Sequence, residues 1–404
     1  MGRKEQIYNM NDSVIRKKTA LLQQCMDSAV EKSETAGCSL VLLRDGREIC
    51  CLNSGYASVE NRIPVRRDSI VRLYSMSKVV TSAAAMLLMQ DGKLDLYDEV
   101  ERYFASFHGQ KVISSEAGQL EDTVRPVMIR DLLNMTSGLC YPGTDNEAEL
   151  ASDVLFQEMM SKLGTPEALT TEQFAERMGN CPLAFQPGSN WQYGTSADVL
   201  AAVIEKVADM PYHEFLDRNF FSPLGMKDTG FYVPDSKKNR LASAYYCTED
   251  GKTPGLYLGN NLAIRNDGGP NPFESGGAGL FSTLDDMARF STMLANEGSS
   301  GAGEILRPGT MRFMRSASLS DQCQKVLDNW LGLEGFSYGN LMRVLKDPSR
   351  NGTIGEDGEY GWDGWLGPYL SIAPESRTVI LMMMQRVDYG TGHFTRRLRN
   401  IIYS

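Results

Sequence analysis

Residues 73–96 read LYSMSKVVTSAAAMLLMQDGKLDL, and two readings of Ser75 compete in them. The apolar run from Val79 to Met89 predicts a helix, which Gly92 stops as the residue just past its last turn. Alanine and leucine on every face predict that this helix is central and buried. Ser75 and Lys78 stand at i and i+3, on one face of the helix start. As a cap, the serine would accept hydrogen bonds from backbone N–H groups. As a nucleophile it needs a base, and a desolvated lysine can serve, because burial favours the neutral amine that accepts a hydroxyl proton. The helix start adds backbone donors and positive potential beside the serine oxygen. Ser-x-x-Lys arises by chance about once or twice in a chain of this length, so the motif alone does not choose between the two.

Outward from this helix, GCSLVLLRDGREICCLNSGYAS predicts two strands, 38–43 and 47–53, joined at Arg44-Asp45-Gly46-Arg47, where Asp-Gly signals a hairpin. Near the other end, YLSIAPESRTVILMMMQR predicts strands at 369–373 and 378–385 around Pro374-Glu375-Ser376. The second is apolar on both faces and is expected in the middle of a sheet. Between these ends, helical periodicity runs through Ile129–Leu133, Val199–Val207 and Met287–Leu294. The expectation is an α/β (α+β) fold with a central antiparallel sheet flanked by helices and built from both chain ends, plus an inserted mostly helical domain. Residues 1–74 and 285–404 would form the sheet domain and 75–284 the helical one, with the site at their junction. Residues 105–126, 140–165, 250–279 and 317–360 read as long loops, which are more often functional walls than spacers.

Composition narrows the chemistry. The 404 residues are 42% hydrophobic and 23% charged, which is ordinary for a globular chain. Lysine and arginine total 41 against 51 acidic residues, and the net charge of −10 repels nucleic acid and anionic lipid. No run of about 18 uncharged apolar residues suggests a membrane span. The start, MGRKEQIYNMNDSVIRKKTALLQQC, carries charge throughout, with no secretory pattern and with Gln6 where myristoylation wants Ser or Thr. A cytoplasmic location is the expectation. Eight cysteines without a C-x-x-C, Cys50 and Cys51 being adjacent, read as reduced and mostly buried thiols. His108, His213 and His393 have no partner at metal-ligand spacing, so neither a metal nor a cofactor is expected.

Taken together, GYASVENRIPVRRDSIVRLYSMSK at 55–78, IRDLLNMTSGL at 129–139, FSPLGMKDTGF at 221–231 and GGAGLFSTLDDMARF at 276–290 resemble the serine β-lactamase and penicillin-binding superfamily. The closest type is the class C-like group called family VIII carboxylesterases. The resemblance implies Ser75 as nucleophile, Lys78 as its base, and a second motif in FQPGSNWQYGTSADVL, where Tyr193 would relay the proton. Thr195 stands where lactamases have asparagine. The third motif implied is Trp362-Asp363-Gly364, in the place of Lys-Thr-Gly, with Gly364 letting substrate approach. Backbone N–H groups of Ser75 and Trp365 would form the oxyanion hole. An indole beside a carboxylate would not welcome the substrate anion that lactamases hold there. Tyr74, Trp191, Trp362, Trp365 and Tyr369 suit a pocket for an apolar group.

The function this implies is a serine hydrolase that cleaves a small-molecule ester through an acyl-enzyme. Three alternatives remain open at this point: an amide-directed β-lactamase or D-amino-acid peptidase, an acyltransferase to an alcohol or amine, and a binding protein that has lost catalysis.

Overall fold

A computed structural model describes residues 12–114, 119–247, 254–317 and 319–404. Gln6 and the first part of the N-terminal stretch lie outside the described residues, as do parts of the loops expected at 105–126, 250–279 and 317–360.

The scaffold is one antiparallel sheet of eight strands. Its order in space is Phe336–Gly339, Met342–Leu345, Tyr360–Gly361, Tyr369–Ala373, Thr378–Met384, Gly37–Arg44, Arg47–Ser58 and Ile63–Pro64. The two chain ends meet at the centre, where Leu40 faces Met382 and Leu43 faces Val379. All seven residues of Thr378–Met384 are buried, as its unbroken apolar run predicts. The first hairpin turns at Asp45 and Gly46, with φ of +50° and +70°, the left-handed pair that a tight hairpin needs and Asp-Gly provides.

Helices Asp12–Glu31 and His393–Tyr403 cover one face of the sheet and pack on each other. Leu22, Met26, Phe394 and Leu398 bury there against Leu40, Ile380 and Met382. On the other face, Leu284–Ala295 packs on the central strands. Beyond it lie Ser77–Gln90 and Ser196–Ala208, two helices in mutual contact. In Ser77–Gln90 every residue from Ser77 to Met86 is buried, in line with its lack of a polar face.

Several expected loops are structured. Residues 317–360 contain a helix, Asp321–Leu327, and three strands of the sheet. The hairpin between the first two of those strands turns on Asn340 and Leu341, both at positive φ (+50° and +63°). Leucine carries no turn signal, so four-residue strands flanking it do not stand out in the sequence. Residues 140–165 hold the helix Glu147–Ser161, capped by Asn146, whose side chain accepts from Ala148 and Glu149 N–H at 3.0 Å each. Short hairpins pair Lys111–Ile113 with Leu120–Asp122 and Ala244–Cys247 with Pro254–Tyr257. All eight cysteines are free thiols, but only four are buried and Cys247 is exposed, fewer buried than expected. No helix among the described residues is long and apolar enough to cross a membrane.

Candidate active site

Ser75 lies in a single 3-10 turn, Tyr74–Met76, that runs straight into the helix Ser77–Gln90. Tyr74 holds φ at +45°, which costs a residue with a side chain and turns the chain sharply into the helix. The cap reading of Ser75 fails, because the capping position is Met76 and no side chain bonds there. The Ser75 hydroxyl instead receives a hydrogen bond from Lys78 Nζ at 3.3 Å.

Lys78 is completely buried. Its ammonium also donates to Tyr141 OH at 2.9 Å and to the Gly277 carbonyl at 2.8 Å, and it sits 4.6 Å from the centre of the Tyr193 ring. Burial pulls its pKa down to about 7, against the opposing pull of the Asp198 and Asp363 carboxylates. At neutral pH a sizeable fraction of Lys78 is therefore the neutral amine.

Tyr193 precedes the helix Ser196–Ala208, as expected, and reaches the same centre. Its hydroxyl accepts from Trp362 Nε1 at 2.8 Å and is hydrogen-bonded to Ser75. Burial pushes the phenol well above its usual range, outweighing both of those bonds. It therefore stays protonated near neutral pH.

Tyr141 is the site residue that the sequence reading missed. It comes two residues after the quoted IRDLLNMTSGL and carries no periodic or motif signal of its own. Gly194 brings it in: a Cβ at 194 would fall 1.9 Å from the Leu139 carbonyl oxygen, so only glycine lets the Tyr193 loop touch the 139–141 segment. The Tyr141 and Tyr193 rings then lie 5.7 Å apart on either side of the lysine.

The third motif is present, with changed roles. Trp362 is 3% exposed and commits its indole N–H to Tyr193, so it holds the phenol as well as lining the cavity. Asp363 pairs with Arg343 at 3.1 Å; Arg343 is itself buried, donates to the Leu370 carbonyl and lies over the Tyr369 ring. That cation is spent on Asp363, so the position offers no free charge to a substrate carboxylate. Gly364 is small for a reason other than substrate approach: a Cβ there would meet the Leu73 carbonyl oxygen at 2.2 Å, two residues before Ser75. The Trp365 N–H donates to no group among the described residues, while its ring packs edge-on against Tyr74 and its carbonyl accepts from Tyr389 N–H. Thr195 is fully buried, its hydroxyl has no partner among the described residues, and it is not part of the cavity wall. Trp191 and Tyr369 also stand behind the wall, Trp191 stacked near Tyr193 and Tyr369 accepting from Arg399 at 2.5 Å.

Ser75, Tyr141 and Tyr193 open into a cavity of about 700 Å³. Trp330, Leu331, Leu333 and Trp362 form one side, and Asn261, Asp388, Thr391 and Arg396 are among the polar groups of the wall. The Trp330 ring meets Tyr193 edge-on at 5.3 Å and remains 41% exposed. A larger surface cleft of about 1140 Å³ lies elsewhere, and its charged lining residues Arg67 and Arg289 are already paired with Glu48, Asp285 and Asp286.

Comparison with known proteins agrees with this geometry. Residues 22–402 match the family described as Beta-lactamase, and the chain belongs to it. It is similar to Protein Rv1367c of Mycobacterium tuberculosis, at 30% identity over 82% of this chain and 81% of that one. It is also similar to Esterase EstB of Burkholderia gladioli, at 28% identity over 95% of each chain. Among solved structures, that of EstCE1, described as a hydrolase with promiscuous acyltransferase activity, superposes with a TM-score of 0.80 at 26% identity, covering 97% of this chain and 99% of the other. The sheet flanked by helices is the fold of that family, and the chain is a serine hydrolase of β-lactamase type.

Proposed function

We propose that the chain hydrolyses small-molecule esters through an acyl-enzyme on Ser75. The observation that carries this reading is the fully buried Lys78 within hydrogen-bond reach of the Ser75 hydroxyl. Neutral Lys78 takes the hydroxyl proton while Ser75 Oγ attacks the ester carbonyl carbon. Backbone N–H groups of Ser75 and Trp365 receive the oxyanion. Collapse breaks the bond to the alkoxy group, which leaves as the alcohol with a proton passed from Lys78 through Tyr193. Water then attacks the acyl carbon and passes its proton through Tyr193 to Lys78; collapse breaks the bond to Ser75 Oγ, which takes that proton back from Lys78, and the acid is freed. The similarity to Esterase EstB and to EstCE1, a hydrolase with promiscuous acyltransferase activity, supports the ester preference.

The pH profile follows from the lysine. Only its neutral form accepts a proton, and burial lowers its pKa to about 7. The kcat/KM for a p-nitrophenyl ester is expected to rise with pH through a limb near 7 and to level off above it. A limb at or above 9 would remove Lys78 from the role of base.

Amide substrates with a carboxylate beside the scissile bond fit less well, because Arg343 is buried and neutralised by Asp363. Nitrocefin turnover is expected at no more than about one-hundredth of the kcat/KM for p-nitrophenyl butyrate, a gap of roughly 2.7 kcal/mol. Comparable rates on the two substrates would assign a lactamase instead.

Transfer to an alcohol in place of water is the second reading, favoured by the EstCE1 description and by a cavity large enough to hold an acceptor beside the acyl group. Mass analysis of products formed with and without added alcohol tells the two apart. An inactive binding protein would show no labelling by a fluorophosphonate that depends on Lys78.

A further inference from the structure

Behind Lys78, on the side away from Ser75, lies a carboxylate that the catalytic scheme above does not use. Asp198 is in the first turn of the helix Ser196–Ala208, is 1% exposed, and has no arginine or histidine ion-pair partner among the described residues. Its Oδ1 accepts from the Gly277 N–H at 3.0 Å and from the Ser275 hydroxyl, which in turn accepts from the Ala278 N–H at 2.8 Å. The next atom in this chain of contacts is the Gly277 carbonyl, which accepts a hydrogen bond from Lys78 Nζ at 2.8 Å. Neighbours on both sides fix the same turn: Thr81 donates to the Gly276 carbonyl at 2.6 Å, and a Cβ on Gly276 would fall 2.4 Å from the Ala197 carbonyl oxygen. A Cβ on Gly277 would come within 2.8 Å of Asp198 Oδ2. The glycine pair therefore exists so that the carboxylate, the turn and the lysine can stack this tightly.

Charge points the same way. Lys78 faces two carboxylates, Asp198 and Asp363, and the phenols of Tyr141 and Tyr193. Asp363 is answered by Arg343, so its field on Lys78 is largely cancelled. Asp198 in turn faces Lys78 and the phenols of Tyr141, Tyr193 and Tyr212, and lysine is the only cation among these. Each buried charge is the other's main compensation.

Resting on the reading of Lys78 as the base, we infer that Asp198 is its positioning residue: it fixes the Ser275–Gly277 turn whose carbonyl holds the Lys78 amine, and sets the pH range in which that amine can take the Ser75 proton. Asp198 does not touch substrate. Its effect belongs in the pH profile and in kcat, not in KM.

The test is Asp198→Asn, assayed on p-nitrophenyl butyrate across pH 5–9 beside wild type and Ser75→Ala. Removing the negative charge makes the protonated amine less stable, so the acid limb of kcat/KM should move down by roughly one pH unit while KM stays within about twofold. An unchanged limb in a folded Asp198→Asn protein overturns the inference. If that variant shows no cooperative melting transition, Ser275→Ala decides, since it removes only a hydroxyl from the turn. It should lower plateau kcat by about tenfold with KM unchanged, and wild-type kcat would overturn the inference. Hydrolysis persisting in Ser75→Ala would sink the acyl-enzyme reading itself; its loss there together with an unshifted limb in Asp198→Asn would sink this proposal alone.

Discussion

Ser75→Ala should abolish hydrolysis of p-nitrophenyl butyrate, lowering kcat by at least about 10³-fold while the thermal transition stays within a few degrees of wild type. The asymmetry between activity and stability follows from the environment of the hydroxyl. Its partners are Lys78 Nζ at 3.3 Å and the Tyr193 phenol. Lys78 has two further acceptors, at 2.8 and 2.9 Å, and Tyr193 keeps the Trp362 indole N–H. Losing Ser75 Oγ therefore leaves Lys78 fully bonded and the Tyr193 oxygen still accepting from Trp362, while the phenol faces the open cavity, so the cost to folding is small. Catalysis loses the atom that forms the acyl bond. Intact-mass measurement after a fluorophosphonate pulse gives a second check: wild type gains one adduct and the variant none. Substantial turnover by the alanine protein would place the chemistry elsewhere in the cavity.

Gly364→Ala should be nearly as damaging to activity and, in addition, destabilising. The added methyl would fall 2.2 Å from the Leu73 carbonyl oxygen and 3.2 Å from that carbonyl's carbon. Both are backbone, so no side chain can rotate away. Leu73 is pinned as well, its N–H donating to the Leu280 carbonyl at 2.8 Å. Relief has to come from moving either the strand that leads into Ser75 or the loop that carries Trp365, and each move separates the two N–H groups proposed to hold the oxyanion. A loss of about 10²-fold or more in kcat is expected, with about 1–3 kcal/mol of stability, measured by ester kinetics and by denaturant unfolding. Wild-type kcat in this variant would show that Trp365 N–H is not an oxyanion donor.

Some of this was legible in the sequence and some was not, for identifiable reasons. The buried helix Ser77–Gln90 and the strand Thr378–Met384 announce themselves because long apolar runs have few alternative fates. Ser75 and Lys78 stood out as a serine and a lysine one turn on, Tyr193 was singled out by the family resemblance, and the fold brings the three together. Tyr141 carries no such spacing; it reaches Lys78 through a loop contact that only the glycine at 194 permits, and a clash avoided leaves no periodic trace. Asp198 drew no reading from the sequence, since its partners Ser275 and Gly277 lie almost eighty residues away. The partner of Asp363 was not foreseen because Arg343 sits on a strand hidden in a stretch that resembled a loop. Local pattern reveals local structure and motif spacing, whereas pairings across hundreds of residues need the fold itself.

The sheet that joins the chain ends also sets an order of events during synthesis. The hairpin Gly37–Arg44 and Arg47–Ser58 leaves the ribosome early, but its inner edge pairs only with Thr378–Met384, more than 300 residues later. Until then that edge, with Leu40, Val41 and Leu42, has unpaired backbone groups and uncovered apolar side chains. Pairings this distant make for slow folding and expose the unfinished chain to aggregation. Trp365, whose N–H is the second oxyanion donor in the proposed mechanism, is made almost as late. On the proposed mechanism, a nascent chain released before residue 365 would contain Ser75, Lys78 and both tyrosines and yet be unable to turn over an ester.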